Sequence, residues 1–224
     1  MTSSSGLPAN FAVVRADGTP YPPHYLGPNE NWTDEIALDL ASSHTIAPNA
    51  NIVLVLDNQL DLSTVITTIL NSGNHSFADF SNTFVSSNSW GSNEYFDPTL
   101  EMNLQKAAMS GMSVNFSSAD CGDGSYNSHW PCTHHSHAPV VQYPASSANA
   151  TAIGGTSLFV DSNHHYAFES GWGSVKTVPP SITPTFYAGS TGGISNFYSA
   201  PQWQKNTTFQ GFTAGGYGVI ANYQ

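Results

Sequence analysis

The sequence predicts a doubly wound α/β fold with a mostly parallel sheet. Short apolar runs, each long enough for one buried strand, alternate with longer stretches of helical periodicity through the first two thirds of the chain. Polar, glycine-rich residues directly follow two of these runs, as is typical where parallel strands end. Alternating strands and helices favour a parallel sheet covered by helices, because each parallel connection has to cross over the sheet.

Successive stretches of the chain predict the helices and strands of this fold. Residues 1–30 are rich in Pro and Gly and are expected to be irregular. The segments that follow are a helix at 33–45, a strand at 51–57, a helix at 62–73, a strand entering a turn at 83–91, a helix at 98–111 and a strand entering a loop at 112–124. Pro98 in a first turn and Gly111 as a C-cap bound the third helix. We therefore predict an α/β core at 31–150 and a part rich in strands and loops, without a clear helix, at 151–224.

Length and charge limit the class of protein. A chain of 224 residues with 39% hydrophobic content fills one core, so one domain is expected. Only 8% of the residues are charged, and the net charge of −11 reflects just four bases. So few bases argue against nucleic-acid binding. Few bases also limit self-repulsion at low pH, where the carboxylates are neutral, and this favours an acid-adapted surface.

The cysteines favour an extracellular location, and the hydropathy of the chain gives no sign of a membrane span. Cys121 and Cys132 flank a loop-like stretch, and a disulfide between them would suit an oxidising, extracellular location. No apolar run approaches the roughly 20 residues of a membrane span, so no membrane partner is expected. The N-terminal residues do not resemble a signal peptide, so secretion would require a targeting segment outside this chain.

Two carboxylates, Glu35 and Asp39, lie four residues apart in the stretch TDEIALD. Residues at this spacing share a helix face, and two carboxylates that close tend to share a proton. Such a pair suits acid–base chemistry at low pH. The spacing equally fits a first helical turn in which acidic residues favour the helix dipole, so both interpretations stay open on spacing alone.

A third carboxylate, Asp120, lies where a parallel sheet places its ligands. Both SSNSWG, after the strand at 83–87, and SSADCGDG, after the strand at 112–116, occupy the carboxyl ends of predicted strands. The sequence therefore predicts that Asp120 belongs to the active-site edge of the sheet.

Several blocks together resemble the sedolisins, the serine-carboxyl peptidases with a subtilisin-like fold. In order, the blocks are EIALD, IAPNANIVLV, SSNSWG, SVNFSSADCGDG, YPASSANATAIGGTSL and TGGISNFYSAPQWQ, within residues 32–205. The resemblance implies proteolysis at acidic pH on a peptide or protein substrate. It implies Glu35 as general base, Asp39 as its hydrogen-bond partner and Asp120 as the protonated donor to the oxyanion. Ser89, Trp90 and Gly91 would pair with the substrate backbone, as an added strand does.

The chain also departs from the family pattern. The family nucleophile lies in an SGTSA-type motif, and no such motif occurs before Gln224. Ser157, in GGTSL, matches a different, non-catalytic block and is rejected as nucleophile. The family calcium loop would also lie beyond residue 224, so no cofactor is expected here. The resemblance thus predicts a partial peptidase domain, truncated at both ends, which should not hydrolyse peptides alone.

Two alternatives from other classes remain. One is a catalytically inactive protein that uses the sedolisin fold for peptide binding or structure, which would explain the missing serine. The other is a metal-binding module built on HWPCTHHSH, which gathers His129, Cys132, His134, His135 and His137. Its spacing matches no familiar zinc motif, protonated imidazoles bind metals poorly at acidic pH, and a Cys132 disulfide would exclude it. We therefore predict no metal site. The oligomeric state is not indicated.

Overall fold

The structure, a computed structural model, describes residues 11–21, 32–57, 61–70, 85–122, 132, 141–176, 185–205, 208–209 and 212–213. The helices are α1 Thr33–Ile46, α2 Leu62–Leu70, α3 Pro98–Met109 and α4 Gln202–Lys205. The strands are β1 Phe11–Arg15, β2 Ile52–Leu56, β3 Val85–Asn88, β4 Ser92–Asn93, β5 Ser113–Ser117, β6 Gln142–Tyr143, β7 Thr151–Ile153, β8 Thr156–Val160, β9 Tyr166–Gly171, β10 Gly173–Lys176, β11 Thr185–Gly189, β12 Thr208–Phe209 and β13 Phe212–Thr213.

The chain divides into two compact units. The first, unit 1, comprises Met1–Phe84 and Met102–Met112, and the second, unit 2, comprises Val85–Glu101 and Ser113–Gln224. None of the helices in the described ranges is long and apolar enough to cross a membrane.

Unit 1 contains a parallel strand pair, β1 and β2. Phe11 aligns with Ile52 and Arg15 with Leu56, and Val14 of β1 is fully buried against Val53 and Val55. This corrects the expectation that residues 1–30 are irregular. The apolar, β-branched run FAVVR forms a strand because β2 supplies its hydrogen-bonding partner, although Pro and Gly surround it in sequence.

The first two helices confirm the periodicities at 33–45 and 62–73 as far as the structure describes them. Helix α2 begins after Asp61, whose carboxylate accepts hydrogen bonds from the Thr64 amide at 3.1 Å and the Thr64 hydroxyl at 2.7 Å. The Thr64 hydroxyl bond is the main reason why the pKa of Asp61 is lowered. Such an N-cap satisfies amide groups that the first turn leaves unpaired.

Both predicted ends of α3 are confirmed. Pro98 is the first helical residue, and Asp97 before it accepts hydrogen bonds from the amides of Thr99 and Leu100. At the other end, Gly111 has a φ of 84°, and the Met112 amide donates to the Ala107 carbonyl at 3.0 Å. This is the glycine-terminated C-cap, in which a left-handed residue allows the last carbonyls to be satisfied.

Unit 2 is organised around a three-stranded parallel sheet with the order β3-β5-β7. The strands predicted within 83–91 and 112–124 are its first two members. Alternate residues of β3 and β5 are buried, including Val114 and Phe116, whereas Val85 is exposed. The mixed α/β class with parallel strands is therefore confirmed.

The strands after β5 otherwise pair in antiparallel fashion. The pairs are β4 with β6, β8 with β9, β10 with β11 and β12 with β13. Helix α4, of four residues, lies in a part of the chain for which no clear helix was predicted. A buried aromatic cluster accompanies β6, where the rings of Tyr143 and Tyr198 stack with their centroids 5.2 Å apart.

Candidate active site

The acidic pair lies on one helix, as its spacing predicts. Glu35 and Asp39 both belong to α1, and both side chains are half-buried. Residues four apart in a helix have Cβ atoms about 5–6 Å apart on the same face. Asp34, on the same helix, is exposed instead. Glu35 and Asp39 therefore share one face of α1, and their role as an acid–base pair stays a prediction.

Asp120 lies directly beyond the carboxyl end of β5, the central strand of the parallel sheet. The residue is exposed to solvent, yet neighbouring protein atoms partly desolvate its carboxyl and raise the pKa of that carboxyl above the usual value. A raised pKa keeps the carboxyl protonated to a higher pH, and a protonated carboxyl can donate a hydrogen bond. A catalytic role for Asp120 stays a prediction.

The turn that carries Asp120 has an uncommon backbone. Ala119 has a φ of 79°, in the left-handed region that residues other than glycine rarely adopt, and Gly122 has a φ of 61°. The Ala119 amide is held by the hydroxyl of Ser117 at 3.1 Å. An L-residue in this conformation is strained, so the surrounding structure has to hold it there.

A distant segment, whose last two residues open the TGGISNFYSAPQWQ block, holds this turn. Residues 189–192 run beside residues 119–122 and exchange backbone hydrogen bonds with them. Donor first, these bonds join Gly189 to Asp120 at 2.6 Å and, at 2.9 Å each, Gly122 to Gly189, Thr191 to Ala119 and Gly192 to Gly122. Both stretches overlap blocks of the family resemblance, but no spacing rule predicts that they pair, because they are separated by about 70 positions. Their glycine-rich composition is typical of close backbone approach.

The predicted disulfide is confirmed. Cys121 and Cys132 are bonded, with their Cα atoms 5.4 Å apart and both residues buried. Cys121 directly follows Asp120, and the Cys132 amide donates to the carbonyl of Tyr187 on β11 at 3.2 Å. The disulfide therefore links the Asp120 turn to Cys132, which is itself hydrogen-bonded to β11.

The predicted substrate-binding stretch has structural contacts of its own. Trp90 meets the buried ring of Phe116 edge to face, with the ring centroids 4.8 Å apart. Gly91 approaches β6 so closely that a Cβ would lie 3.1 Å from the carbonyl oxygen of Tyr143. Both residues, like the half-buried Ser89, follow β3 directly. A role for these residues in binding substrate stays a prediction.

The three catalytic candidates belong to different units. Glu35 and Asp39 are in unit 1 and Asp120 is in unit 2. Their convergence at one site, which the resemblance implies, stays a prediction.

The hypothesis of a metal site on the HWPCTHHSH stretch has one fewer candidate ligand. Cys132 is bonded to Cys121 and cannot bind a metal as a thiolate. Within the described part of the chain, no group of three or more His, Cys, Asp or Glu side chains is arranged to hold a metal ion. The four histidines of the HWPCTHHSH stretch lie outside the described residues.

The fold of this chain is similar to that of a solved protein structure. The chain is similar to a Pseudomonas sedolisin, a serine-carboxyl proteinase complexed with two molecules of pseudo-iodotyrostatin, with a TM-score of 0.59 and 20% sequence identity. The fold is sedolisin-like. The similarity covers 91% of this chain and 54% of that chain, so the present chain spans about half the length of the solved sedolisin. No protein-family model matches the chain, and no curated protein matches it.

Proposed function

We propose that the chain forms part of a serine-carboxyl peptidase that hydrolyses peptide bonds at acidic pH and has the doubly wound, subtilisin-like core of the sedolisins. The observation that carries this proposal is the position of Asp120. Its carboxyl has a raised pKa and lies at the carboxyl end of a parallel sheet in a sedolisin-like fold. An extracellular location is part of the proposal, because the Cys121–Cys132 disulfide suits an oxidising compartment.

Glu35 and Asp39 are the proposed base system. When a serine hydroxyl attacks the substrate carbonyl carbon, the hydroxyl proton passes to the Glu35 carboxylate. Asp39 is the proposed hydrogen-bond partner that orients the Glu35 carboxylate. A glutamate is a weak base. Glu35 can therefore activate the serine only when the whole proton-transfer network of the site operates at acidic pH. The support is the half-buried position of both residues one helical turn apart.

Asp120 is the proposed donor to the oxyanion. The tetrahedral intermediate carries negative charge on the former carbonyl oxygen, and a donor aimed at that oxygen stabilises it. A carboxyl can donate only while it is protonated. Burial raises the pKa of Asp120 and so widens the pH range in which it can act.

The nucleophile of the proposed reaction is a serine outside these 224 residues. Ser157 is a poor candidate, since it lies within β8 and pairs with Ser170 of β9.

The proposal is tested in the full-length protein with a quenched fluorogenic peptide, between about pH 3 and about pH 7. Glu35→Gln should lower kcat by about 100- to 10,000-fold, because an amide cannot accept the serine proton. Asp34→Asn is the matched control, since it removes a carboxylate from the same helix at an exposed position and should leave kcat unchanged. Asp120→Asn should retain more activity than Glu35→Gln, because an amide still donates to the oxyanion.

Two results would contradict the proposal. One is a coding sequence that carries no SGTS-type motif around these residues, which would favour a non-enzymatic protein that binds peptides. The other is a full-length protein whose peptide cleavage is the same in the wild type and in Glu35→Gln.

A further inference from the structure

Thr191 contacts both neighbours of Asp120. Its amide donates to the carbonyl oxygen of Ala119 at 2.9 Å, and its hydroxyl oxygen accepts a hydrogen bond from the amide of Cys121 at 2.8 Å. Thr191 itself is 1% exposed. One buried side chain therefore fixes the backbone on both sides of the candidate catalytic acid.

The hydroxyl of Thr191 has a specific task in this arrangement. Cys121 is buried, so water cannot reach its amide. Loss of the Thr191 hydroxyl would leave that amide without a hydrogen-bond acceptor. Ala119, on the other side of Asp120, holds a left-handed φ of 79° that it would not adopt by itself. Hydrogen bonds at both flanks counteract the tendency of the turn to relax.

Ser190 makes a comparable bond in a different direction. Its hydroxyl accepts from the Gly155 amide at 2.7 Å, and its residue is 5% exposed. Ser190 and Thr191 are thus adjacent, buried hydroxyl acceptors, of which Thr191 alone bonds to a residue flanking Asp120. This difference allows positioning to be separated from general stabilisation.

We propose that Thr191 is a positioning residue that fixes the backbone from which the Asp120 carboxyl projects. The catalytic consequence rests on the proposed function, but the structural consequence does not. Asp120 should titrate differently when the Thr191 hydroxyl is lost, whether or not the protein cleaves peptides. β11 leads into residues 189–192, which hold the Asp120 turn. Its one titratable residue is Tyr187.

The test compares Thr191→Val, which replaces the hydroxyl by a methyl group of similar size, with Thr191→Ser, which keeps it. The carboxyl carbon of Asp120 is followed by carbon-13 NMR against pH, with Asp120→Asn to assign the signal. In Thr191→Val the turn should relax toward water, and the pKa of Asp120 should fall toward its usual value. Thr191→Ser should restore wild-type titration, and Ser190→Ala should leave it unchanged. If the valine variant does not fold, Thr191→Ala removes the same hydroxyl with a smaller side chain.

Activity of the full-length protein supplies the second readout. Thr191→Val should lower kcat by about tenfold because the donor is misplaced, with KM within about twofold of wild type. The proposal is overturned if Asp120 titrates identically in the wild type and in the variants without the hydroxyl. It is equally overturned if Ser190→Ala shifts the titration as much as Thr191→Val does. A shifted titration in a protein that is inactive even as wild type supports the positioning role and contradicts the proposed function instead.

Discussion

Cys121, the residue after Asp120, is bonded to Cys132, with 5.4 Å between their Cα atoms. The bridge closes a loop of 11 positions, which restricts the unfolded chain. Replacing both cysteines by alanine should therefore lower the free energy of unfolding by about 2–3 kcal/mol. The measurement is urea unfolding of the wild type and of the double variant. Reduced wild-type protein should match the double variant; if the variant is as stable as the oxidised wild type, the bridge does not stabilise this unit.

Asp120 should make stability depend on pH in an unusual direction. Because burial raises the folded-state pKa above 3.8, the folded protein binds a proton more tightly than the unfolded chain does. The stability linked to this group is therefore fully present below pH 3.8 and is lost as the pH rises through the folded-state value. Asp120→Asn removes a partly desolvated charge and should slightly raise the melting temperature at neutral pH, with little change at low pH.

The control for this measurement is Asp34→Asn, a change of the same charge in the first turn of α1, outside the Asp120 turn. It should shift the melting temperature little at either pH. A destabilised Asp120→Asn variant at neutral pH would show that the carboxylate makes favourable contacts that outweigh its burial. Stabilisation by loss of a carboxyl would be typical of an active site, where function is kept at a cost in stability.

Ala119 should be replaceable by glycine with a gain in stability. Its φ of 79° is strained for an L-residue by about 1–2 kcal/mol. Glycine removes that strain but adds entropy to the unfolded chain, so the net gain in the free energy of unfolding should be up to about 1 kcal/mol. The matched control is Ala41→Gly, at an exposed position inside α1, which should cost about 1 kcal/mol. Two losses of equal size would mean that the Ala119 backbone is not strained.

Asp97 should stabilise the start of α3 through its carboxylate. The carboxylate accepts bonds from the amides of Thr99 at 3.0 Å and Leu100 at 2.9 Å. Asp97→Ala leaves both amides without this acceptor and should lower the free energy of unfolding by about 1 kcal/mol. Asp97→Asn keeps an acceptor oxygen and should remain within a few tenths of a kcal/mol of wild type. Chemical unfolding of the three proteins side by side decides whether the cap contributes.

Local patterns in the sequence predicted the elements whose stability is decided locally. Helix α3 was bounded by Pro98 and Gly111, because proline suits a first helical turn and glycine suits the left-handed C-cap. The strands β2 and β5 were recognisable as apolar runs. The spacing of Glu35 and Asp39 fixed their shared face on α1, since any helix places residues four apart together.

The strand β1 could not be predicted in this way. Its five residues lie among Pro and Gly and are too short to form a strand unless a partner supplies hydrogen bonds. That partner, β2, begins about 40 residues later in the sequence. A strand is stable only as part of a ladder, so its existence depends on tertiary pairing and not on its own composition.

By itself the sequence determined the α/β alternation, the acidic pair on α1 and the position of Asp120 after a buried strand. Only the tertiary structure decided how the Asp120 turn is held. The disulfide, the strained Ala119 and the Thr191 hydroxyl act together on that turn, and Thr191 reaches the Cys121 amide across 70 positions of sequence. Periodicity describes contacts within an element, whereas a carboxyl acquires its burial and its pKa from atoms that folding brings together.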